Sequence, residues 1–449
     1  MRIGSLASVA GALLLAACES YHPLPLSPRA SLATDLSQLH HEGVDISQPL
    51  TVANVASLAV QNNPTLVADR NQRGLAKAQL LQAGLLPNPS INPNYAFNTF
   101  APNALNNAWV VALSYDLRSL ILTPTARLSA RYAGKQVDAQ LLWQEWQVAG
   151  QARLLVVDLI EGNRQRASLD RTYQLLASRY AHSSSAMAQG NLTLNVVMPD
   201  LSALQGAEQA RQTLERAQQQ RRQQLDALLG LKPSVVLDLV PTPILPPFDP
   251  ALVRARLPDL PTYRPDLIAL QMGYKSQDAK VRQAIIGQFP TFVLGLAGGI
   301  DNTHDYTVGP SPTFDIPIFN HNQGQIAIER ATRKLLHDQY SARLATADGE
   351  VRAALDTIAL QRRQLASLRR DVGKNASAAA AAESAWRAGI IDELTYVTFI
   401  SARLSQEQQI LTLEQSILDA EVNIATLTGA GLPPFVQAKS PSDQREARL

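Results

Sequence analysis

The 449-residue chain carries few residues that could do chemistry, and they do not cluster. Its seven histidines are scattered, and the one adjacent pair, His40 and His41, favours a loop feature over a metal site. The sequence has no phosphate-binding loop, HExxH zinc motif, CxxC pair, GxSxG nucleophile elbow or dinucleotide fingerprint. We therefore expect no catalytic residue, no metal site, no cofactor and no enzymatic activity. Any energy that the protein uses must come from a partner.

The only cysteine, Cys18, ends an N-terminal segment typical of a secretory signal. Residues 1–17 carry one charge, at Arg2, and then an apolar stretch too short to span a bilayer. The ending Leu15-Ala16-Ala17-Cys18 resembles the bacterial lipobox, where the signal is cleaved before a cysteine that receives diacylglycerol and an N-acyl chain such as palmitate. The alternative is an ordinary signal with a chance cysteine. We expect acylation of Cys18. In lipoproteins an Asp at the next position can retain the protein at the inner membrane, and Glu19 carries that meaning far more weakly, so sorting to the outer membrane is expected.

The composition favours long helices over one large compact core. Hydrophobic residues make up 46% of the chain, which excludes disorder over most of its length, but Phe, Trp and Tyr make up only 5%. The net charge of +2 gives no broad basic surface, so no nucleic-acid partner is expected. After the signal no run of about 18 apolar residues occurs, and no membrane-spanning helix is predicted.

The sequence repeats itself after about 200 residues. The recurring motifs keep one order: Asn63-Pro64-Thr65-Leu66 and Arg264-Pro265-Asp266-Leu267, Tyr115-Asp116-Leu117 and Phe314-Asp315-Ile316, Gly190-Asn191-Leu192 and Gly389-Ile390-Ile391, Gly230 and Gly429. Between the repeats, eight prolines from Pro241 to Pro265 predict a semi-rigid linker with neither helix nor central strand. The predicted segments are an N-terminal extension (18–50), the first repeat (51–240), the linker (241–263), the second repeat (264–430) and a polar tail (431–449).

Each repeat is predicted to hold a helix of about 20 residues, two strands, a very long helix, a glycine turn and another long helix. In the first repeat these are a helix at 64–85, strands at 90–100 and 108–117, and long helices at 125–189 and 193–229. In the second they are a helix at 264–287, strands at 291–300 and 306–316, and long helices at 322–388 and 392–428. Heptad-like spacing in the last helix of each repeat favours coiled-coil packing. Helices alone would favour a structural rod.

The predicted strands alternate large apolar with small or polar residues, and each has about the length of a tilted strand that crosses an outer membrane. Pro93, Pro310 and Pro312 fall inside them, which fits barrel rims or irregular pairing. A soluble hairpin packed on helices would show the same alternation. If the strands span a membrane, four cannot close a barrel, whereas three copies of the chain give twelve and leave room for a pore.

Over about residues 50–430 the sequence resembles the outer-membrane efflux factor family, the TolC, OprM and CusC type. The motifs that carry the resemblance are Asn62-Asn63-Pro64-Thr65-Leu66, Leu85-Leu86-Pro87-Asn88-Pro89, Arg264-Pro265-Asp266-Leu267, Phe314 to Asn320 with Gly324, and Arg387-Ala388-Gly389. The resemblance implies a mainly α chain with a small transmembrane β part, in a homotrimer with a 12-stranded β-barrel and an α-helical tunnel. It also implies outer-membrane lipid around the barrel, a periplasmic adaptor and an inner-membrane pump of RND type.

The resemblance places Gly190, Asn191, Arg387 and Gly389 at the periplasmic tip, where family members close the aperture. Asp392 and Glu393 lie near the second turn, whereas the family often carries an acidic run later, where this chain has Val397-Thr398-Phe399. The two acids would form an acidic ring under three-fold symmetry, or they are N-cap and first-turn carboxylates that face solvent. Arg387 equally fits compensation of a helix dipole.

The leading hypothesis is therefore a passive trimeric duct in the outer membrane. It would export small molecules, drugs or metal ions, from the periplasm as the third stage of a tripartite pump. Two alternatives stay open: the exit duct of a type I secretion system, and a non-conducting coiled-coil lipoprotein that spaces the envelope. A lipid-anchored envelope enzyme would need a cluster of acid, base or nucleophile residues, which the sequence does not offer.

Overall fold

The computed structural model describes residues 21–97, 106–233 and 235–429. Its α-helices are α1 (Val52–Asn62), α2 (Pro64–Asp69), α3 (Gln72–Gly84), α4 (Leu117–Ala188), α5 (Leu194–Leu229), α6 (Pro250–Arg256), α7 (Leu260–Tyr263), α8 (Pro265–Ile286), α9 (Gln323–Arg387) and α10 (Glu393–Thr428). The strands are β1 (Ser90–Ala96), β2 (Ala108–Asp116), β3 (Phe292–Ile300), β4 (Tyr306–Pro310) and β5 (Thr313–Phe314). The predicted signal peptide, Cys18 and the tail 431–449 lie outside the described residues.

Four long helices dominate the molecule and confirm the mainly α fold class. Helix α4 has 72 residues and α9 has 65, so they measure about 108 and 98 Å at 1.5 Å per residue. Each folds back through a glycine turn onto a helix of 36 residues, α5 or α10. The two hairpins, α4 with α5 and α9 with α10, join where α4 packs against α10.

The first long helix begins at Leu117, so the predicted start at residue 125 is wrong. The Asp116 side chain caps the helix by accepting a hydrogen bond from the backbone N–H of Arg118 at 2.9 Å. Pro124 therefore lies inside the helix, although its missing N–H removes one backbone hydrogen bond. Asp116 is both the last residue of β2 and the N-cap of α4. Because it fits the alternating pattern of the strand, the sequence did not indicate that it also begins a helix.

Two further predictions about helices need correction. The prolines between residues 241 and 265 do not exclude helix, because Pro250 and Pro261 occupy the first turns of α6 and α7, where a missing N–H costs nothing. Asp249 caps α6 by accepting a hydrogen bond from Ala251 at 2.8 Å. The single helix predicted at 64–85 is divided into α2 and α3 at residues 70–71.

The strands form one antiparallel sheet in the order β1-β2-β3-β4, with β5 paired to β3. Pro93 lies in β1 and Pro310 ends β4, which are the outer strands of that order. The predicted strand 306–316 is interrupted, because Ser311 and Pro312 separate β4 from β5. Both prolines thus lie where a missing backbone donor interrupts no central ladder.

Each repeat has its own hydrophobic core where the long helices meet the shorter ones. In the first repeat, α1 and the N-terminal extension pack on the middle of α4 and the end of α5, and Leu50, Leu58 and Leu225 are almost fully buried. In the second, α7 and α8 pack on α9 and α10 around Leu267 and Ile358. These cores hold the middle of each very long helix against the end of the 36-residue helix that follows it.

The first residues of the two recurring motifs anchor the helices in different ways. Asn63 is buried, accepts from the N–H of Leu66 and donates its side-chain amide to the carbonyl of Leu228. Arg264 is fully buried, forms two hydrogen bonds with Asp266 and lies over the ring of Trp143. Each motif therefore begins a helix and ties it to a long helix.

Candidate functional site

The sheet has one apolar face. Residues that lie directly opposite one another across β1, β2 and β3 include Ile91, Leu113 and Leu296, and next to them Tyr95, Trp109 and Ile300. Tyr306 and Val308 of β4 continue this face and are 81% and 79% exposed. A broad exposed apolar patch of this kind marks a surface that contacts lipid or another protein.

The side chains on the opposite face of the sheet are mostly small or polar, with Val110 as an exception. Its paired positions are Ser90 with Ser114, Asn92 with Ala112, Ser114 with Gly295, and Val110 with Gly299. The backbones approach so closely at Gly299 that a Cβ atom there would lie 2.0 Å from the carbonyl oxygen of Trp109. The side chains on this face therefore occupy little volume, and the face suits contact with water.

The two outer strands offer unpaired backbone groups. Among the described residues, β1 pairs only with β2 and β4 only with β3, so one edge of each lacks a partner. An unpaired edge in lipid costs several kcal/mol for each N–H or C=O group, by order of magnitude. The apolar face and the open edges together require another chain if the sheet enters a membrane.

At the far end of the helical hairpins, two glycine turns reverse the chain. Gly190 and Gly389 adopt φ values of 77° and 70°, and no atom lies within 4 Å of a Cβ built on either. Backbone conformation, not crowding, therefore explains glycine at both turns. We call these turns, residues 188–193 and 388–392, together with the adjoining ends of the four long helices, the tip.

The two turns are linked through side chains. Nδ1 of His182 on α4 lies 2.9 Å from Oε1 of Glu393, the first residue of α10. Arg179, one turn earlier, forms a buried ion pair with Asp200 of α5 at 2.6 Å. The rings of Trp386 and Tyr396 stack with their centroids 4.6 Å apart. The tip is thus one packed unit in which both hairpins take part.

Asp392 caps α10. Its carboxylate accepts a hydrogen bond from the backbone N–H of Thr395 at 2.7 Å, and the side chain is exposed. Hydrogen bonds from Thr395 hold the pKa of Asp392 below its ordinary value, and the charge of Arg179 contributes in the same direction. Asp392 therefore stays ionised at neutral pH with its charge directed at the helix N-terminus.

Glu393 is half-buried, and the other predicted tip residues, Gly190, Asn191, Arg387 and Gly389, are exposed. The N–H of Asn191 donates to the carbonyl of Ala186 at 2.8 Å, and Arg387, the last residue of α9, pairs with Glu383 one turn earlier. The structure brings Glu393 to His182, which sequence reasoning missed because the histidine was one of several scattered ones. Arg179 and Asp200 were also missed, although they lie 11 and 10 residues from Gly190 and so face each other across the hairpin.

The described residues contain no helix that is both long and apolar enough to cross a membrane. Within the same residues no group of three or more His, Cys, Asp or Glu side chains is arranged to hold a metal ion.

The fold is shared with solved outer-membrane channels. CmeC of Campylobacter jejuni aligns with a TM-score of 0.71 at 15% identity, covering 95% of this chain and 97% of CmeC. VceC of Vibrio cholerae gives 0.69 at 15% identity, covering 85% and 97% of the two chains. The outer-membrane channel OprN gives 0.69 at 15% identity, covering 91% and 98%.

In sequence, residues 259–430 match the family model of the outer membrane efflux protein. No curated protein matches the chain. The match covers the second repeat, and the structural similarity extends to the first, which confirms the resemblance predicted from the recurring motifs. Residues 259–430 thus match the outer membrane efflux protein family, and over 91% of its length the chain has the fold of the outer-membrane channel OprN.

Proposed function

We propose that the protein is the outer-membrane channel of a tripartite efflux pump, a passive duct through which small molecules leave the periplasm. The observation that carries this proposal is the sheet with one apolar face and two open edges, continuous with long helical hairpins. A sheet of that kind suits lipid on one face and water on the other. A structural coiled-coil lipoprotein would not need a sheet with one apolar face.

Three copies of the chain form the duct. Four antiparallel strands from each copy, joined through the open edges of β1 and β4, give twelve strands in a closed barrel whose interior leaves a pore. The small and polar face then lines the pore, and the apolar face meets outer-membrane lipid. Below the barrel, the four long helices of each copy assemble into a tunnel of twelve helices.

The tip faces the periplasm and meets the adaptor. Its exposed side chains include Leu194, Ile390 and Leu394, which are 58%, 76% and 51% exposed, so an apolar surface is available there. The adaptor in turn connects the duct to an inner-membrane pump of RND type, which supplies the energy. Gly190, Asn191, Arg387, Gly389, Asp392 and Glu393 are the candidates for the aperture.

Acylation of Cys18 anchors the protein in the outer membrane, with a large periplasmic part. The Leu-Ala-Ala-Cys ending and the absence of any other cysteine in the sequence support this. The mass of the mature protein tests it, because acylation adds lipid mass to a chain that begins at residue 18. Replacement of Cys18 by Ser is expected to abolish that mass and to leave the signal uncleaved. An unmodified mature N-terminus at any other residue would contradict the anchor.

Conductance decides the function. The purified protein is expected to migrate as a heat-resistant trimer in detergent and to give single-channel conductance in planar bilayers. A deletion strain is expected to become more susceptible to some of a panel of dyes, antibiotics and divalent metals, and the affected class identifies the cargo as drug or metal ion. Neither trimer nor conductance, with a deformed envelope in the deletion strain, would identify a structural lipoprotein. Loss of a secreted protein instead would indicate a type I secretion duct.

A further inference from the structure

A group of charged side chains lies inside the helical region where the two repeats meet. Asp158 and Glu161 lie one turn apart on α4, which belongs to the first repeat, and Asp419 lies on α10 of the second. Arg221 approaches from α5, and its Nε lies 3.1 Å from Oδ2 of Asp158. We call these four side chains the junction cluster. It lies at the contact between α4 and α10, which joins the two hairpins.

Two carboxylate oxygens of the junction cluster are buried without a hydrogen-bond donor. These are Oδ1 of Asp419 and Oε1 of Glu161, neither of which has a partner within the described residues. The Glu161 side chain is only 1% exposed, and its other oxygen accepts from Arg164 at 2.7 Å. A buried carboxylate oxygen without a donor favours protonation, because the charged form loses its hydration.

Asp158 is better satisfied than the other two acids. One of its oxygens pairs with Arg221, and the other accepts a hydrogen bond from the side-chain amide of Gln415. Gln415 in turn accepts from Gln165 at 2.6 Å. The Asp158 carboxylate is thus held by one side chain from α5 and one from α10. Arg221 is therefore engaged by Asp158, which leaves Asp419 with little compensation.

The surroundings of Asp419 disfavour its charged form. Burial, together with the negative charges of Asp158 and Glu161, raises the pKa of Asp419 to about 7 against the opposing charge of Arg221. Burial also raises the pKa of Glu161, although Arg164 opposes that shift. The charged groups that α9 contributes nearby are occupied elsewhere, since Arg369 pairs with Glu414 and Arg362 with Glu421.

We propose that Asp419 is a proton-responsive side chain that controls how firmly the two repeats are held together at the contact between α4 and α10. With a proton, Asp419 adds no charge beside Asp158 and Glu161, and its O–H becomes a donor in a group that lacks donors. Without the proton, Asp419 adds a third negative charge where Arg221 and Arg164 are already paired with Asp158 and Glu161, and the contact is weaker. The hairpins therefore separate more readily at neutral pH and above than at acid pH.

Protons can reach the cluster from solvent. An open groove of about 830 Å³ lies along α4, α5 and α10, and its walls include Asp158, Arg221, Gln415 and Asp419. The side chain of Asp158 is 20% exposed in this groove, so the cluster is neither sealed nor freely hydrated. Proton exchange with the surrounding medium requires no unfolding.

The direction of the pH effect follows from proton binding. The folded chain keeps a proton on Asp419 up to about pH 7, whereas an aspartate exposed by opening loses it near pH 4, by its ordinary value of about 3.9. Opening of the junction thus releases a proton between about pH 4 and pH 7. Each pH unit in that window favours opening by up to about tenfold, and the effect levels off above pH 7.

Hydrogen exchange at the junction tests the proposal on the full-length protein in detergent. Amide protection of residues 155–165 and 415–424, corrected for the intrinsic effect of pH on exchange, is expected to fall by about tenfold per unit from pH 5 to pH 7. Asp419→Asn, which resembles the protonated side chain, is expected to keep the high protection at every pH. The exposed Asp356 of α9 provides the control, and Asp356→Asn is expected to retain the wild-type slope. An equal slope in Asp419→Asn and wild type would overturn the proposal.

A second variant keeps the test decisive if Asp419→Asn does not fold. Asp158→Asn removes a repelling charge and frees Arg221, so the midpoint of the pH effect is expected to move to lower pH. An unmoved midpoint would again overturn the proposal.

The exchange result does not depend on the proposed function. Its consequence for a duct does: the channel is expected to open more often at about pH 7 than at about pH 5 in planar bilayers, and in Asp419→Asn that increase is expected to vanish. A protein that conducts at no pH but shows the exchange slope would refute the duct and leave the proton-responsive junction intact.

Discussion

At the scale of single residues, substitutions of Asp392 can distinguish its role as a helix cap from a role as part of an acidic ring at the tip. Its carboxylate caps α10, whereas the equivalent residue of the first repeat, Thr193, precedes α5 without a side-chain cap. Asp392→Ala is expected to cost about 1 kcal/mol locally, which speeds amide exchange in the first turn of α10 by about fivefold. Asp392→Asn keeps a capping oxygen and is expected to leave that exchange near the wild-type rate.

Thr193→Ala is the matched control, because it removes a side chain that makes no capping bond. Exchange at the start of α5 is expected to stay unchanged. If Asp392 instead contributes to an acidic ring, a different result is expected. Asp392→Ala and Asp392→Asn would then reduce cation selectivity in bilayers equally, because both remove the charge. Equal loss of selectivity with unchanged exchange in both variants would show that the charge, and not the cap, is what matters.

Arg264 is the second residue with a predictable cost. It is fully buried with Asp266, and Arg343 also donates to that carboxylate at 2.8 Å. Burial alone would raise the pKa of Asp266, but Arg264 and Arg343 hold it below its ordinary value. Arg264→Ala leaves a buried carboxylate short of a partner and is expected to lower the free energy of unfolding by about 3–5 kcal/mol. The midpoint of thermal unfolding measures the loss.

The pH dependence of that loss distinguishes charge from packing. In the wild type, Asp266 stabilises the fold above about pH 4 and the contribution is lost only in stronger acid, because its pKa is lowered on folding. In Arg264→Ala, burial dominates and the carboxylate takes up a proton more readily. The gap between variant and wild type is therefore expected to narrow from pH 7 to pH 4. A gap that stays constant with pH would indicate that the loss comes from packing on Trp143 instead. Arg363→Ala, at an exposed site on α9, is the control and is expected to change the free energy of unfolding little.

At the scale of elements, the helices and the order of the repeat could be predicted from sequence because long proline-poor runs and glycine turns are local signals. The start of α4 could not, since Asp116 serves both as a strand residue and as a cap. The candidate site was only partly predictable. The glycines of the tip could be predicted because a tight turn needs a positive φ that glycine adopts readily. The contact between His182 and Glu393 could not, because it joins residues 211 positions apart. Nothing local in either segment indicates that partner.

The packing of α4 on α5 depends on a glycine where the two helices approach closely. A Cβ atom at Gly162 would lie 1.4 Å from Nε2 of Gln218, whose amide donates to the carbonyl of Asp158 at 3.1 Å. Gly162→Ala therefore displaces a buried side chain and is expected to destabilise the hairpin by about 1–3 kcal/mol.

Gln218→Ala in the same protein is expected to restore part of the loss, because the new methyl group then has room. Gly373→Ala on α9, with no atom within 4 Å of a new Cβ, is the control and is expected to be neutral or to stabilise by up to about 1 kcal/mol. The midpoint of thermal unfolding compares the variants. A double variant that is no better than Gly162→Ala alone would show that contact with Gln218 is not the cause.

At the scale of the whole molecule, the scarcity of aromatic residues reflects the way the chain buries its apolar surface. Among the described residues, four separate clusters of buried apolar side chains and long seams between helices replace a single thick core, and they consist mainly of Ala, Val, Leu and Ile. Many of the large apolar side chains that remain exposed lie on the sheet or at the tip. The molecule therefore leaves apolar surface at its two ends, and assembly with lipid at one end and a partner at the other would cover it.

Two neighbouring residues of β2 can test whether the apolar face of the sheet lies in lipid. Leu113 lies on the apolar face between Ile91 and Leu296, and Ala112 lies on the opposite face between Asn92 and Ala297. An arginine on the lipid side of a barrel costs about 2–4 kcal/mol near the membrane midplane, whereas a water-filled interior tolerates one. Leu113→Arg is therefore expected to reduce the heat-resistant trimer recovered from outer-membrane fractions strongly, and Ala112→Arg only slightly, with conductance retained. If Ala112→Arg is the variant that fails to assemble, the apolar face does not meet lipid, and the sheet packs against protein instead.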